Sequence, residues 1–226
     1  MNTALRQNRV FFSGWLLFVC VAALALAFHS KTEIQAWINT KHAPFFDFFF
    51  FYATKAAEGI GLALLILYTL LHTRAHLFSL LAGWTSAALT TQLLKHTLFE
   101  GVERPRTVFK DTPGWHWVEG VRLYESASFP SGHTTDIFAL MCLFALWSGK
   151  RLTGACALSV ALLVGFSRIY LSQHFLPDVL TGSVIGVSWA LVWYHVFFRS
   201  QWALRTHALR KAILPFLRRK KDQLPL

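Results

Sequence analysis

Four polar side chains, Ser167, Arg168, His174 and Asp178, stand together between two long apolar stretches, residues 152–166 and 179–198. Charge at the ends of membrane-length segments is costly unless it is solvated or used. Two further polar groups border other apolar stretches: Lys95 with Arg104-Pro105, and Pro130-Ser131-Gly132-His133. Together these residue types describe a site for a phosphoryl group. Arg104 and Arg168 offer guanidinium forks that bind phosphate in a bidentate manner, and Lys95 adds a compact point charge. Ser131 and Gly132 precede a predicted helix start, where free backbone N–H groups attract anions and a glycine lets the anion come close. His133 and His174 are then available as acid, base or nucleophile. Asp178 follows His174 by four residues, a spacing that puts a carboxylate beside the imidazole and fixes its tautomer. Taken singly, each residue has an ordinary reading: a histidine at a helix end is solvated, and an arginine at a membrane edge is an anchor. The combination is what carries the chemistry.

The elements that must position these groups are membrane helices. The chain of 226 residues is 54% hydrophobic and uses Phe 21 times and Trp 9 times. Its mean hydropathy is +0.43, and a soluble domain has about 45–50% apolar residues. One polytopic, all-α membrane domain covering residues 1–226 is expected, with six spans. Segment one is 10–28, preceded by Arg6 and Arg9. Ala25-Leu26-Ala27 resembles a signal-peptidase site, but the run is long enough to span, and an uncleaved helix is the preferred reading. Segment two, 59–71, is short, and the phenylalanine-rich stretch 44–57 before it, with Asp47 and Lys55, reads as an interfacial helix leading into the span. Segment three is 75–94. Segment four starts after His133 and runs to Trp147, and segments five and six flank the Ser167–Asp178 stretch. Pro177 suits the first turn of helix six.

The one long connection, 99–129, holds Pro105, Pro113, Gly101, Gly114 and Gly120 and reads as irregular. Trp115 and Trp117 either seat it among lipid headgroups or pack within it. Cys20, Cys142 and Cys156 all lie in apolar segments and read as buried small hydrophobes, not as a disulfide or metal set. Asp136, three residues after His133, either favours the first turn of helix four through the helix dipole or tunes His133. The sequence sets no oligomeric state.

The net charge of +11 is an orientation signal before it is a binding patch, and no nucleic-acid partner is expected. Six spans put Arg6, Arg9, Arg74, Lys150, Arg151 and every basic residue from Arg199 onward on the side of the termini. Of the 11 acidic residues only Asp222 falls there. By the positive-inside rule both termini are cytoplasmic. The basic run Arg218-Arg219-Lys220-Lys221 either lies against anionic lipid or is a solvated tail. In the same topology all three polar clusters reach the external, periplasmic face of the cell (inner) membrane.

The pattern Lys95…Arg104-Pro105, Pro130-Ser131-Gly132-His133 and Ser167-Arg168-x5-His174-x3-Asp178 resembles the type 2 phosphatidic acid phosphatase (PAP2) family, which includes the vanadium haloperoxidases. The second and third motifs match at every defined position. The first departs: residues 96–103 separate Lys95 from Arg104, two more than is usual in that family. The motif order and six-span layout also agree, over roughly residues 46–198. The resemblance implies that His174, held by Asp178, attacks phosphorus to form a phosphohistidine. It further implies that His133 protonates the leaving oxygen, and that Lys95, Arg104, Arg168, Ser131 and the Gly132 N–H stabilise the equatorial oxygens. Water then hydrolyses the intermediate, with no metal and no cofactor.

The leading expectation is thus a lipid phosphatase or pyrophosphatase acting on lipid A phosphates, undecaprenyl pyrophosphate or phosphatidylglycerophosphate. Lipid phosphotransfer would use the same site. A transporter would carry its charges near midspan rather than at helix ends. A vanadate-dependent oxidase fits poorly with a site at headgroup level.

Overall fold

The computed structural model describes residues 6–55 and 59–214. Among them the regular elements are helices, with no strand beyond a single antiparallel bridge between Thr73 and Ala212. In chain order the helices are α1 (Arg9–Phe28), α2 (Lys31–Asn39), α3 (Pro44–Lys55), α4 (Gly61–Leu70), α5 (Arg74–Thr97), α6 (Pro105–Phe109), α7 (Gly132–Ser148), α8 (Arg151–Tyr170), α9 (Leu176–Phe198) and α10 (Gln201–Arg205). A short 3-10 turn, His207–Arg210, follows.

Helix α7 is the axis of the bundle, wrapped by α9, α8 and α5. Most of its side chains are buried, from Thr134 to Leu146. The helices around it bury one stripe each. In α5 the inward residues include Gly83, Ala87, Thr91 and Lys95. In α9 they include Asp178, Gly182, Gly186 and Ala190. In α8 they run from Gly154 through Ala157, Ala161 and Gly165 to Arg168. Steps of three and four residues keep one face of a helix towards its neighbour. Each stripe is made of small residues, so the backbones approach closely, as membrane helices do in the absence of a hydrophobic drive between them. Each stripe also ends in a charged residue of the sequence motifs. The same periodicity that packs the bundle therefore delivers Lys95, Arg168 and Asp178 to its interior.

Polar contacts lock the register. Trp189 Nε1 donates to Thr90 Oγ1 (2.9 Å), Trp193 Nε1 to Ser86 Oγ (3.0 Å) and Thr91 Oγ1 to Thr135 Oγ1 (3.2 Å). Helix α1 lies at the rim. Phe11 and Ala22 are its buried residues, and Leu16, Leu17, Val21 and Leu24 face outward.

Helices α1, α5, α8 and the stretch from Leu176 are long and apolar enough to cross a membrane by length and composition, four where the sequence suggests six spans. Of the remaining two, α7 has 17 residues and α4 only 10. A helix of the latter length rises about 15 Å, half of a ~30 Å hydrocarbon layer. The stretch expected to lie at the interface forms α3, which packs on α8 through Phe50 against Phe166 and Tyr170.

Helix α2 has no counterpart among the elements expected from the sequence. Its start is a capping box: Glu33 N donates to Ser30 Oγ (3.2 Å) and Ser30 N donates back to Glu33 Oε2 (2.8 Å). The long connection is irregular apart from α6, and Trp115 stacks on Phe109 within it at 3.8 Å. Only Cys142 of the three cysteines is buried. Cys20 and Cys156 are exposed on the protein surface, so the expectation of three buried thiols holds for one. Both sit on α1 and α8 faces that point away from the bundle axis. The basic run Arg218–Lys221 lies outside the described residues.

Candidate active site

The three motifs converge at one end of the bundle. The end of α8 sets the geometry. After Tyr170 the chain turns through Ser172, at φ 52°, and both Gln173 N (2.9 Å) and His174 N (3.1 Å) donate to the Arg168 carbonyl. His174 is thereby folded back under the helix that carries Arg168, and only 2% of it is exposed. Helix α9 begins two residues later, so Asp178 falls in its first turn and accepts from Phe175 N at 3.0 Å. An acidic group there complements the positive end of the helix.

The tautomer of His174 follows from its two neighbours. Asp178 Oδ2 lies 3.3 Å from Nδ1, and Arg104 Nη1 lies 3.4 Å from Nε2. A carboxylate accepts and a guanidinium only donates, so the proton sits on Nδ1 and the lone pair on Nε2. Burial is the main force holding His174 well below the ordinary imidazole value, followed by the charges of Arg104, Arg168, Lys95 and His133. The ring is therefore neutral, with its free lone pair directed at a cluster of cations. Asp178 is itself held from a second side, by Ser128 Oγ at 2.5 Å.

Two of the three cations are held by main-chain carbonyls. Lys95 Nζ donates to Ala127 O at 2.7 Å. Arg104 donates through Nε to Ser126 O (2.8 Å), through Nη2 to Ala127 O (3.2 Å) and through Nη1 to Gln173 O (3.1 Å). Two of the three thus share one carbonyl, and the longer spacing between them does not separate them. Between them, Leu98 N and Phe99 N both return to Leu94 O as α5 ends. Burial lowers the Arg104 value, and the Asp178 and Tyr124 charges oppose that shift; a guanidinium stays protonated regardless. Arg168 donates through Nη1 to Thr54 Oγ1 (2.6 Å) and through Nη2 to Gln173 Oε1 (3.3 Å).

Ser131 caps α7: its Oγ accepts from Thr134 N (3.5 Å) and Thr134 Oγ1 (2.9 Å). Ser131 N donates to Asp178 O at 3.0 Å, which ties the second motif to the third. A Cβ on Gly132 would meet nothing nearer than Thr91 Cγ2 at 3.9 Å, so protein packing does not demand glycine there. His133 and Arg168 line a cavity of about 380 Å3, with Gln173, Tyr124, Arg122 and Lys55 also in its wall. Among the described residues no group of three or more His, Cys, Asp or Glu could hold a metal ion.

A family model described as the PAP2 superfamily matches residues 76–202, more than half of the chain. The chain belongs to the PAP2 superfamily. Phosphatidylglycerophosphatase B of Bacillus subtilis (strain 168) is 33% identical over 108 residues, which is 43% of this chain and 48% of that protein. The chain thus aligns with about half the length of that relative. The solved structure of Aquifex aeolicus LpxE superposes with a TM-score of 0.62 at 24% identity, over 72% of this chain and 93% of that one. That of a transmembrane PAP2-type phosphatidylglycerolphosphate phosphatase from Bacillus subtilis gives 0.60 at 22% identity, over 84% and 95%. At these identities the two structures speak for the fold. The protein is accordingly an all-helical member of the PAP2 superfamily, with helices long and apolar enough to cross a membrane.

For a PAP2 chain the structure adds residues that the motifs do not contain. Ser128 holds Asp178, Thr54 holds Arg168, and Ser126 and Ala127 lend carbonyls to the cations. Nothing in the sequence pairs Ser128 with Asp178 or Thr54 with Arg168 across 50 and 114 residues. Behind Thr54, α3 is pinned by Asp47, which accepts from Tyr170 OH (2.6 Å) and lies 2.8 Å from His116 Nε2. Asp136 lies on α7 with the Trp84 indole of α5 beside it.

Proposed function

We propose that this protein hydrolyses a phosphomonoester or pyrophosphate of a membrane lipid through a phosphohistidine. The observation that carries this is the neutral His174, whose lone pair on Nε2 is fixed by Asp178 on one side and Arg104 on the other. In the first step Nε2 attacks phosphorus, the bond to the lipid oxygen breaks, and His133 gives that oxygen its proton. In the second, His133 takes a proton from water, the hydroxide attacks phosphorus, and the P–N bond breaks to release inorganic phosphate and restore His174. Negative charge on the three equatorial oxygens is met by Lys95, Arg104, Arg168, the Ser131 hydroxyl and the Gly132 N–H. This donor set supplies the charge that a metal would otherwise bring, so the reaction needs neither metal nor cofactor.

The candidate substrates are lipid A phosphates, undecaprenyl pyrophosphate and phosphatidylglycerophosphate. Lys55 and Arg122 stand in the cavity wall outside the proposed phosphoryl cradle, which favours headgroups with a second anionic group. A lipid alcohol in place of water would give phosphotransfer from the same intermediate. Phosphate release from a panel of these lipids by the purified protein tests the reading. Turnover is expected with a chelator present, inhibition with orthovanadate, and background rates for His174→Ala. Activity that disappears with the chelator and returns with magnesium, or survives in His174→Ala, would refute it.

A further inference from the structure

Gln173 stands between the two arginines of the site, and its own chemistry is only half used. Its main-chain oxygen accepts from Arg104 Nη1 and its Oε1 from Arg168 Nη2, at 3.1 and 3.3 Å. Since a guanidinium only donates, the amide must turn its oxygen towards Arg168, and the NH2 group faces the other way. That group, Nε2, is buried and has no hydrogen-bond partner among the described residues. The residue is only 2% exposed. A buried amide donor left unpaired costs free energy that an apolar side chain of equal size would not. Yet Gln173 lines the same cavity as His133 and Arg168. The turn that carries it is rigid, because the N–H groups of Gln173 and His174 both close on the Arg168 carbonyl.

We propose that Gln173 is a substrate-binding residue whose Nε2 donates to an oxygen of the phosphoryl group held by Arg168. Its two oxygens meanwhile keep Arg104 and Arg168 in register around that group. The inference rests on the phosphatase reading given above. It assigns the site one more donor, neutral and directional, beside the cations.

Orthovanadate binding to the full chain in detergent micelles tests it, measured by calorimetry together with the melting temperature. Gln173→Glu keeps the acceptor for Arg168 and removes the donor. It is expected to weaken vanadate binding by about tenfold or more with no fall in melting temperature. Both the lost donor and the added carboxylate act against an anion, so a dissociation constant within twofold of the unaltered protein overturns the proposal. Should Gln173→Glu not fold, Gln173→Met carries the test, since it fills the same space and can neither donate nor accept from a guanidinium. It too must lose about tenfold, and unchanged binding overturns the proposal. The unaltered protein separates this inference from its parent. If it releases no phosphate from any lipid of the panel and binds no vanadate, the phosphatase reading falls. If it does both and the Gln173 variants match it, only the role of Gln173 falls.

Discussion

At the scale of single residues, the site depends on keeping one imidazole neutral in the midst of positive charge. Protonated His174 would have no lone pair on Nε2 and would be repelled by Lys95, Arg104 and Arg168. Its burial and those same cations both favour the neutral form, holding it well below the ordinary value. The direction has a checkable consequence. A lowered value means that His174 stays neutral as pH falls through about 6.5, where a free histidine becomes half protonated. In nitrogen-15 spectra of histidine-labelled protein, the signal lost in His174→Gln should show a neutral Nδ1–H ring at pH 6.5, with protonation only at lower pH. A ring already half protonated there, or one carrying its proton on Nε2, would contradict the assignment of Nε2 as nucleophile.

Elements bring these residues together through their glycines, and two glycines near the site have opposite duties. A Cβ on Gly182 would stand 2.7 Å from the Ser131 carbonyl and 3.1 Å from Thr135 Oγ1, and one on Gly186 would strike the Thr135 carbonyl. Helix α9 can lie on α7 only because both side chains are missing. Gly132, by contrast, has room on the protein side. Gly182→Ala should therefore cost about 1–3 kcal/mol of stability and carry Asp178 away from Ser131, lowering activity and melting temperature together. Gly132→Ala should keep its stability within about 0.5 kcal/mol and lose turnover, because its Cβ would sit where the phosphoryl group approaches. Thermal melts and phosphate release on the two variants separate the cases; a Gly132→Ala protein of unaltered turnover would remove that residue from the cradle. Much of this was legible beforehand. Residue types and spacing single out His174, Asp178, Arg168, Lys95 and Arg104 as a candidate set, and the inward stripes that end in Lys95, Arg168 and Asp178 obey the same helical period. The rest depends on contacts that no local pattern encodes. Ser128 reaches Asp178 and Thr54 reaches Arg168 only after folding. Helix α2 carries little periodic signal because its composition is mixed, although Ser30 and Glu33 spell out its cap. Gln173 lay in plain view inside the third motif, but its two accepting oxygens matter only once both arginines surround it.

On the scale of the whole molecule, charge is sorted between the two ends of the bundle. Arg74 N donates to Lys211 O and Ile213 N to His72 O, at 3.1 Å each, so the basic region after Phe198 lies beside the loop that starts α5. At the same end the Gln7 amide reaches to within 3.5 Å of where a Cβ on Gly149 would be, next to Lys150 and Arg151. The candidate site occupies the opposite end, where α5 and α8 finish and α7 and α9 begin. Basic residues flanking spans are retained on the cytoplasmic side, and on that ground we propose that the site faces outward from the cell membrane, towards lipids already moved to that leaflet. Water for the second step reaches helix ends and not midspan. Single-cysteine labelling decides the matter in a protein whose Cys20, Cys142 and Cys156 have been replaced. Asp111→Cys, in the long connection beside the site, should react with a membrane-impermeant thiol reagent in intact cells with a permeabilised outer envelope. Gln201→Cys, at the basic end, should react only after lysis. The reverse pattern would place the site in the cytoplasm, and an enzyme so oriented could act only on lipids of the inner leaflet.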